Sequence, residues 1–107
     1  MIVELTKTQL SSIPNTWNGI VVLYSNYCGY CKEVLPFIKQ FDDKYNQSAT
    51  TVLYCVDESD NRDYILKNYA NFRGVPDFFQ LKGGKIFAPR FSFERDNLNS
   101  YRKLFIQ

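Results

Sequence analysis

Five apolar residues in succession, Ile20-Val21-Val22-Leu23-Tyr24, interrupt an otherwise mixed N-terminal region. The run does not alternate and is rich in β-branched residues, so it predicts a strand buried on both faces. Thr51-Val52-Leu53-Tyr54-Cys55-Val56 predicts a second such strand. Between them, Val34, Phe37, Ile38, Phe41 and Tyr45 recur at helical spacing and give one apolar face. Pro36 falls inside that pattern and removes a backbone donor, which predicts a kink. Upstream, Leu5-Thr6-Lys7-Thr8-Gln9-Leu10 starts with a strand remnant and then offers a Thr cap for a short helix, closed by Pro14-Asn15-Thr16. Downstream, Asp57 to Asp60 make a turn, and Asp60 is placed to cap a helix carrying Tyr64, Ile65 and Tyr69. Gly74-Val75-Pro76 breaks the chain. Phe78-Phe79-Gln80-Leu81 and Ile86-Phe87-Ala88 then flank Gly83-Gly84, a two-residue hairpin signal. From Glu94 onward, Leu98, Tyr101, Leu104 and Phe105 predict a closing helix. The order βαβαβαββα predicts an α/β fold with a central mixed β-sheet and helices on both faces.

Composition narrows the classes. The 107 residues suit one domain, spanning 1–107, that can bury a core without structural disulfides or a metal. Apolar residues at 45% and charged residues at 22% argue against disorder. A net charge of +2, from 13 basic and 11 acidic residues, gives no basic face for nucleic acid. The longest apolar run is too short for a bilayer, and Met1-Ile2-Val3-Glu4 lacks the charged n-region and long apolar run of a targeting segment, so none is expected. A soluble, cytoplasmic monomer without a cofactor is expected.

Three cysteines remain: Cys28, Cys31 and Cys55. One C-x-x-C pair and an odd third thiol do not make a secreted disulfide framework. Zinc calls for about four ligands, usually Cys or His. Three cysteines and no histidine disfavour that reading, so no metal is expected. Position favours redox chemistry. Cys28 follows a buried strand at its carboxyl end and opens a helix, where open α/β sheets place their crevices. Unpaired N–H groups and the positive end of the helix dipole favour a thiolate, the nucleophilic form. Cys28 is therefore the expected nucleophile. Cys31, one turn later and more enclosed, is the expected resolving thiol. Cys28 would attack a substrate disulfide, and Cys31 would then release the reduced product, leaving a reversible Cys28–Cys31 disulfide. Cys55 reads as a small buried hydrophobe without a role. Tyr27 and Tyr30, flanking a reactive thiol in a loop, are expected to form an apolar substrate platform with Gly29 between the cysteines.

Several stretches resemble one family. Leu23-Tyr24-Ser25-Asn26-Tyr27-Cys28-Gly29-Tyr30-Cys31-Lys32 resembles the active-site segment of thioredoxins and protein disulfide isomerase domains. Pro36 matches the family's helix-kinking proline, Arg73-Gly74-Val75-Pro76 its cis-proline loop, and Lys82-Gly83-Gly84-Lys85 its hairpin. The resemblance implies the thioredoxin fold, and a cis Pro76 beside the cysteines, presenting the Val75 backbone to a substrate strand. The departures concern tuning. Tyr27 stands where the family usually has Trp, and Gly29-Tyr30 replaces Gly-Pro or Gly-His. Val22 stands where thioredoxins carry a buried acid that serves the second thiol, so another group or water must take that proton. Asp77 replaces a frequent Thr after the cis-proline, and a carboxylate facing the thiolate would disfavour it.

The function expected is a protein dithiol–disulfide oxidoreductase, paired with a reductase or oxidase partner and with protein substrates bearing disulfides or dithiols. Two alternatives are a glutathione-dependent, glutaredoxin-like enzyme and a non-catalytic binding module on the same fold.

Overall fold

The computed structural model describes residues 1–45, 50–58, 60–69, 72 and 74–87, without the side chains at 41, 42, 44 and 45. Its elements in chain order are β1 (Ile2–Glu4), α1 (Lys7–Leu10), β2 (Gly19–Tyr24), α2 (Gly29–Tyr45), β3 (Thr50–Cys55), α3 (Asn61–Asn68), β4 (Asp77–Lys82) and β5 (Lys85–Phe87). The expected closing helix lies outside the described residues, as do Phe91 and Phe93, which with Phe87 read in sequence as core and edge packing, and the side chains of Phe41 and Tyr45. The first strand comes earlier than the sequence suggests, before Leu5.

The strands form one five-stranded sheet in the order β1-β3-β2-β4-β5. β3 pairs parallel with β1 and β2, while β4 pairs antiparallel with β2 and β5. β2 is the central strand, which explains its unbroken apolar run. Residues 20–24 are all at most 6% exposed, and each such side chain contributes about 1.5–3 kcal/mol by leaving water.

Alternation along β2 divides the core in two. Ile20, Val22 and Tyr24 face a cluster with Cys31, Val34 and Ile38 of α2. Val21 and Leu23 face the other cluster, with Leu10 of α1 and Ile65 of α3. Helices thus cover both sheet faces. Pro36 lies inside α2 and is exposed, as are Lys32 and Glu33 on its first turns.

Local chemistry explains the ends of the elements. Thr6 caps α1 through a complete capping box with Gln9. Asp60 stands at the N-cap of α3, but its side chain makes no capping bond and its backbone is left-handed at φ 68°. Asp tolerates that conformation better than most residues, so it serves this turn by backbone shape. Gly83 and Gly84, at φ 59° and 75°, make the β4–β5 turn, which needs positive φ at both central positions. Phe87, expected in edge packing, is 43% exposed.

Candidate redox site at the start of α2

From Tyr24 the chain turns through residues 25–27. The Cys28 N–H donates to the Ser25 carbonyl at 3.3 Å, and the Lys32 N–H donates to the Cys28 carbonyl at 3.2 Å. Cys28 therefore accepts the first helical bond of α2 and occupies its N-cap. The Cys31 N–H donates to Cys28 Sγ at 3.1 Å. This is the bond that a Ser or Thr oxygen makes at a helix N-terminus, with sulfur in the oxygen's place. The Cys31 N–H and the positive end of the helix thus both face the Cys28 sulfur.

The two thiols differ in surroundings. Both are free; Cys28 is half-buried, and Cys31 has no exposed surface. Burial pushes the Cys31 thiol up to about 12, and the Cys28 sulfur pushes the same way, against a smaller opposing effect of the Ser25 backbone. The buried cluster around Cys31 includes Tyr24, whose hydroxyl donates to the Glu4 carboxylate. Burial, and then that bond, raises the Tyr24 phenol far above its ordinary range.

Across the site, the Val75–Pro76 peptide is cis. The Cys28 thiol points to the Val75 carbonyl at 3.9 Å, a long contact even for sulfur. Tyr30 and Val75 pack against the cluster that holds Cys31. Pro76 is half-buried, and Gly29 is exposed, with nothing within 4 Å of where a Cβ would stand. Tyr27 is 91% exposed and projects into solvent. The fold thus gathers Cys28, Cys31, Tyr30, Val75 and Pro76, with Tyr27 and Gly29 on the open side.

Two expectations are corrected. Asp77 does not face the thiols. It pairs with Leu23 across β2–β4, and paired residues share a sheet face. Leu23 belongs to the cluster opposite the cysteines, so the buried Asp77 points there too, its Oδ1 accepting the Phe78 N–H at 3.0 Å. Cys55 is not enclosed like the rest of β3. It is half-buried at the strand end, its thiol donating to Asp57 Oδ2 at 3.4 Å. Asp57, read from sequence only as a turn residue, also receives bonds from Ser25 and Asn26. Glu4 drew no attention in sequence. A signal for Asp57 existed: Ser25 and Asp57 each follow the end of one of two adjacent parallel strands.

Among known proteins, a thioredoxin from Acidithiobacillus ferridurans is 28% identical over 71 residues, covering 66% of this chain and 62% of that protein. The matched segment is therefore less than two-thirds of that relative's length. Two solved structures share the fold. Thioredoxin O2 from Arabidopsis thaliana, in its oxidized state, superposes with a TM-score of 0.69 at 24% identity, covering 97% of this chain and 94% of that one. Thioredoxin O1 from Arabidopsis thaliana, also oxidized, gives 0.70 at 21% identity, with 97% of each chain covered. The family model described as Thioredoxin matches residues 2–101, nearly the whole length. On that match, and with the sheet order and cysteine placement described above, this chain belongs to the thioredoxin family.

Proposed function

We propose that this chain is a thiol–disulfide oxidoreductase acting on protein disulfides, with Cys28 as the attacking sulfur and Cys31 as the resolving one. Family membership and the Cys28/Cys31 pair support the reaction class. The observation that carries the assignment of roles is the N–H of Cys31 donating to Cys28 Sγ at 3.1 Å, with Cys28 half-buried and Cys31 fully enclosed. One sulfur is reachable and receives a backbone N–H at the start of a helix. The other is held in reserve within the same turn.

The Cys28 thiolate attacks one sulfur of a substrate disulfide, and the other substrate sulfur leaves as a thiolate that takes up a proton. Cys31 loses its proton and attacks Cys28 Sγ, which releases the second substrate thiol. The protein ends as a disulfide, and the substrate has gained two electrons and two protons. A dithiol reductant restores the protein by the reverse steps. Tyr27, Gly29, Tyr30, Val75 and Pro76 form the surface that a substrate chain would meet, with the Val75 peptide beside the attacking sulfur to pair with an extended segment.

Coupled turnover tests this reading and its partner. Insulin disulfides are offered with NADPH and a flavin-dependent thioredoxin reductase, or with glutathione and its reductase. Faster turnover with the flavin-dependent system, abolished by Cys28→Ser, is expected. Turnover with glutathione alone would instead indicate a glutaredoxin-like enzyme. Association with insulin without any reduction would indicate a binding module.

A further inference from the structure

The loop that delivers Cys28 to the start of α2 is short and irregular, and its backbone polar groups need partners. One side chain from another element pairs one of them directly and a second through a hydroxyl. Asp57, just past β3, uses both carboxylate oxygens. Its Oδ1 accepts the Ser25 hydroxyl at 2.6 Å, and its Oδ2 accepts the Asn26 N–H at 2.5 Å. The same Ser25 oxygen accepts the Tyr27 N–H at 3.1 Å. Three consecutive residues ahead of Cys28 are thus tied, directly or through one hydroxyl, to a single carboxylate. Asn26 Nδ2 also reaches Cys55 Sγ at 3.6 Å, and the Cys55 thiol reaches Asp57 Oδ2 at 3.4 Å.

The bonds are of a strong kind. Hydrogen bonds to an ionised acceptor are shorter and about twice as strong as neutral ones. Burial works to raise the Asp57 carboxyl, but the bonds from Ser25, Asn26 and Cys55, with the charge of Arg62, outweigh it and hold the group below its ordinary range. The carboxylate is therefore the form that these donors select.

We propose that Asp57 is a positioning residue for the redox reaction: acting through Ser25 and Asn26, it fixes the loop so that Cys28 Sγ meets the N–H of Cys31. This inference rests on Cys28 being the nucleophile. The bond at Cys28 depends on where the N-cap residue sits, and the N-cap sits where the loop puts it. The expected sign separates this role from simple charge. As a nearby negative charge alone, Asp57 would oppose the Cys28 thiolate, and its removal would speed the thiol's reactions. As a brace, its removal slows them.

The test is the rate of Cys28 alkylation by iodoacetamide at pH 7, followed by peptide mass mapping, in wild type, Asp57→Ala, Ser25→Ala and the double variant. Ser25→Ala keeps the charge and removes the hydroxyl relay, and it guards against an Asp57→Ala that does not fold. Each single variant is expected to slow Cys28 by about threefold to tenfold, the worth of one hydrogen bond. The double variant is expected to lose little more than the worse single one, because both break one network. Asp57→Asn, which keeps one acceptor oxygen, should fall between wild type and Asp57→Ala. Faster alkylation in Asp57→Ala with no change in Ser25→Ala would overturn the brace. So would lowered melting temperatures with unchanged alkylation rates, which would make the network structural only. A wild-type protein in which Cys28 reacts no faster than Cys55 would overturn the proposed function, and this inference with it.

Discussion

Replacing Cys31 by alanine should change how stability depends on pH more than it changes stability at neutral pH. The thiol is fully buried in an apolar cluster, and burial lifts it from an ordinary 9.0 to about 12. The unfolded chain can ionise this thiol from about pH 9 upward, while the folded protein keeps it protonated. The folded state then binds the extra proton, so stability falls as pH rises from 9 towards 12. Below pH 9 this loss is absent. At pH 10 the gap between 9.0 and about 12 costs the reduced wild type about 1.4 kcal/mol. The assay is urea unfolding of the reduced proteins, with phosphine reductant present, at pH 7 and pH 10. Other groups, among them Tyr54 and Tyr69, both raised to about 12 chiefly by burial, act in the same direction in both proteins and cancel in the comparison. Cys31→Ala should lose about 1 kcal/mol at pH 7 from the space it opens. Its further loss between pH 7 and pH 10 should then be about 1.4 kcal/mol smaller than wild type's. Equal losses in the two proteins would refute the claim that the folded state holds Cys31 as a desolvated thiol.

Two further substitutions test the framework. Gly19→Ala should destabilise the protein by about 3 kcal/mol or more by overpacking, since its Cβ would lie 1.9 Å from the Thr50 carbonyl oxygen in the neighbouring strand; chemical denaturation measures it, and a loss under about 1 kcal/mol would contradict the β2–β3 approach described. Asp77→Asn should leave the rate of Cys28 alkylation within about twofold of wild type, because Asp77 pairs with Leu23 on the face away from the cysteines; a clear acceleration would place its charge beside the thiol.

Much of this architecture was legible because the strongest signals are local. β2 and β3 lie inside the sheet with helices on both sides, so their continuous apolar runs stand out, and Gly83-Gly84 marks a turn that few other residues allow. The reactive pair was legible from its place between a buried strand and a helix. What the sequence hid depends on pairing across strands. Whether Asp77 faces the thiols depends on its pairing with Leu23 on β2, and a shift of one residue would reverse the answer. Asp57 is remote in sequence from Ser25 and Asn26, and they meet because β2 and β3 run parallel and end together at Tyr24 and Cys55. Asp60 looked like a side-chain cap because Asp commonly is one, yet here the left-handed backbone turns the chain without that bond.

Trapping reads the division of labour between Cys28 and Cys31 directly. Cys31→Ser and Cys28→Ser proteins are each reduced, freed of reductant and mixed with insulin, and the covalent products are mapped by mass. A mixed disulfide between Cys28 and an insulin chain is expected in Cys31→Ser, stable because no second sulfur resolves it, with no insulin adduct at Cys31 in Cys28→Ser. An adduct at Cys31 in Cys28→Ser with none at Cys28 in Cys31→Ser, or a resolving bridge to Cys55, would contradict it.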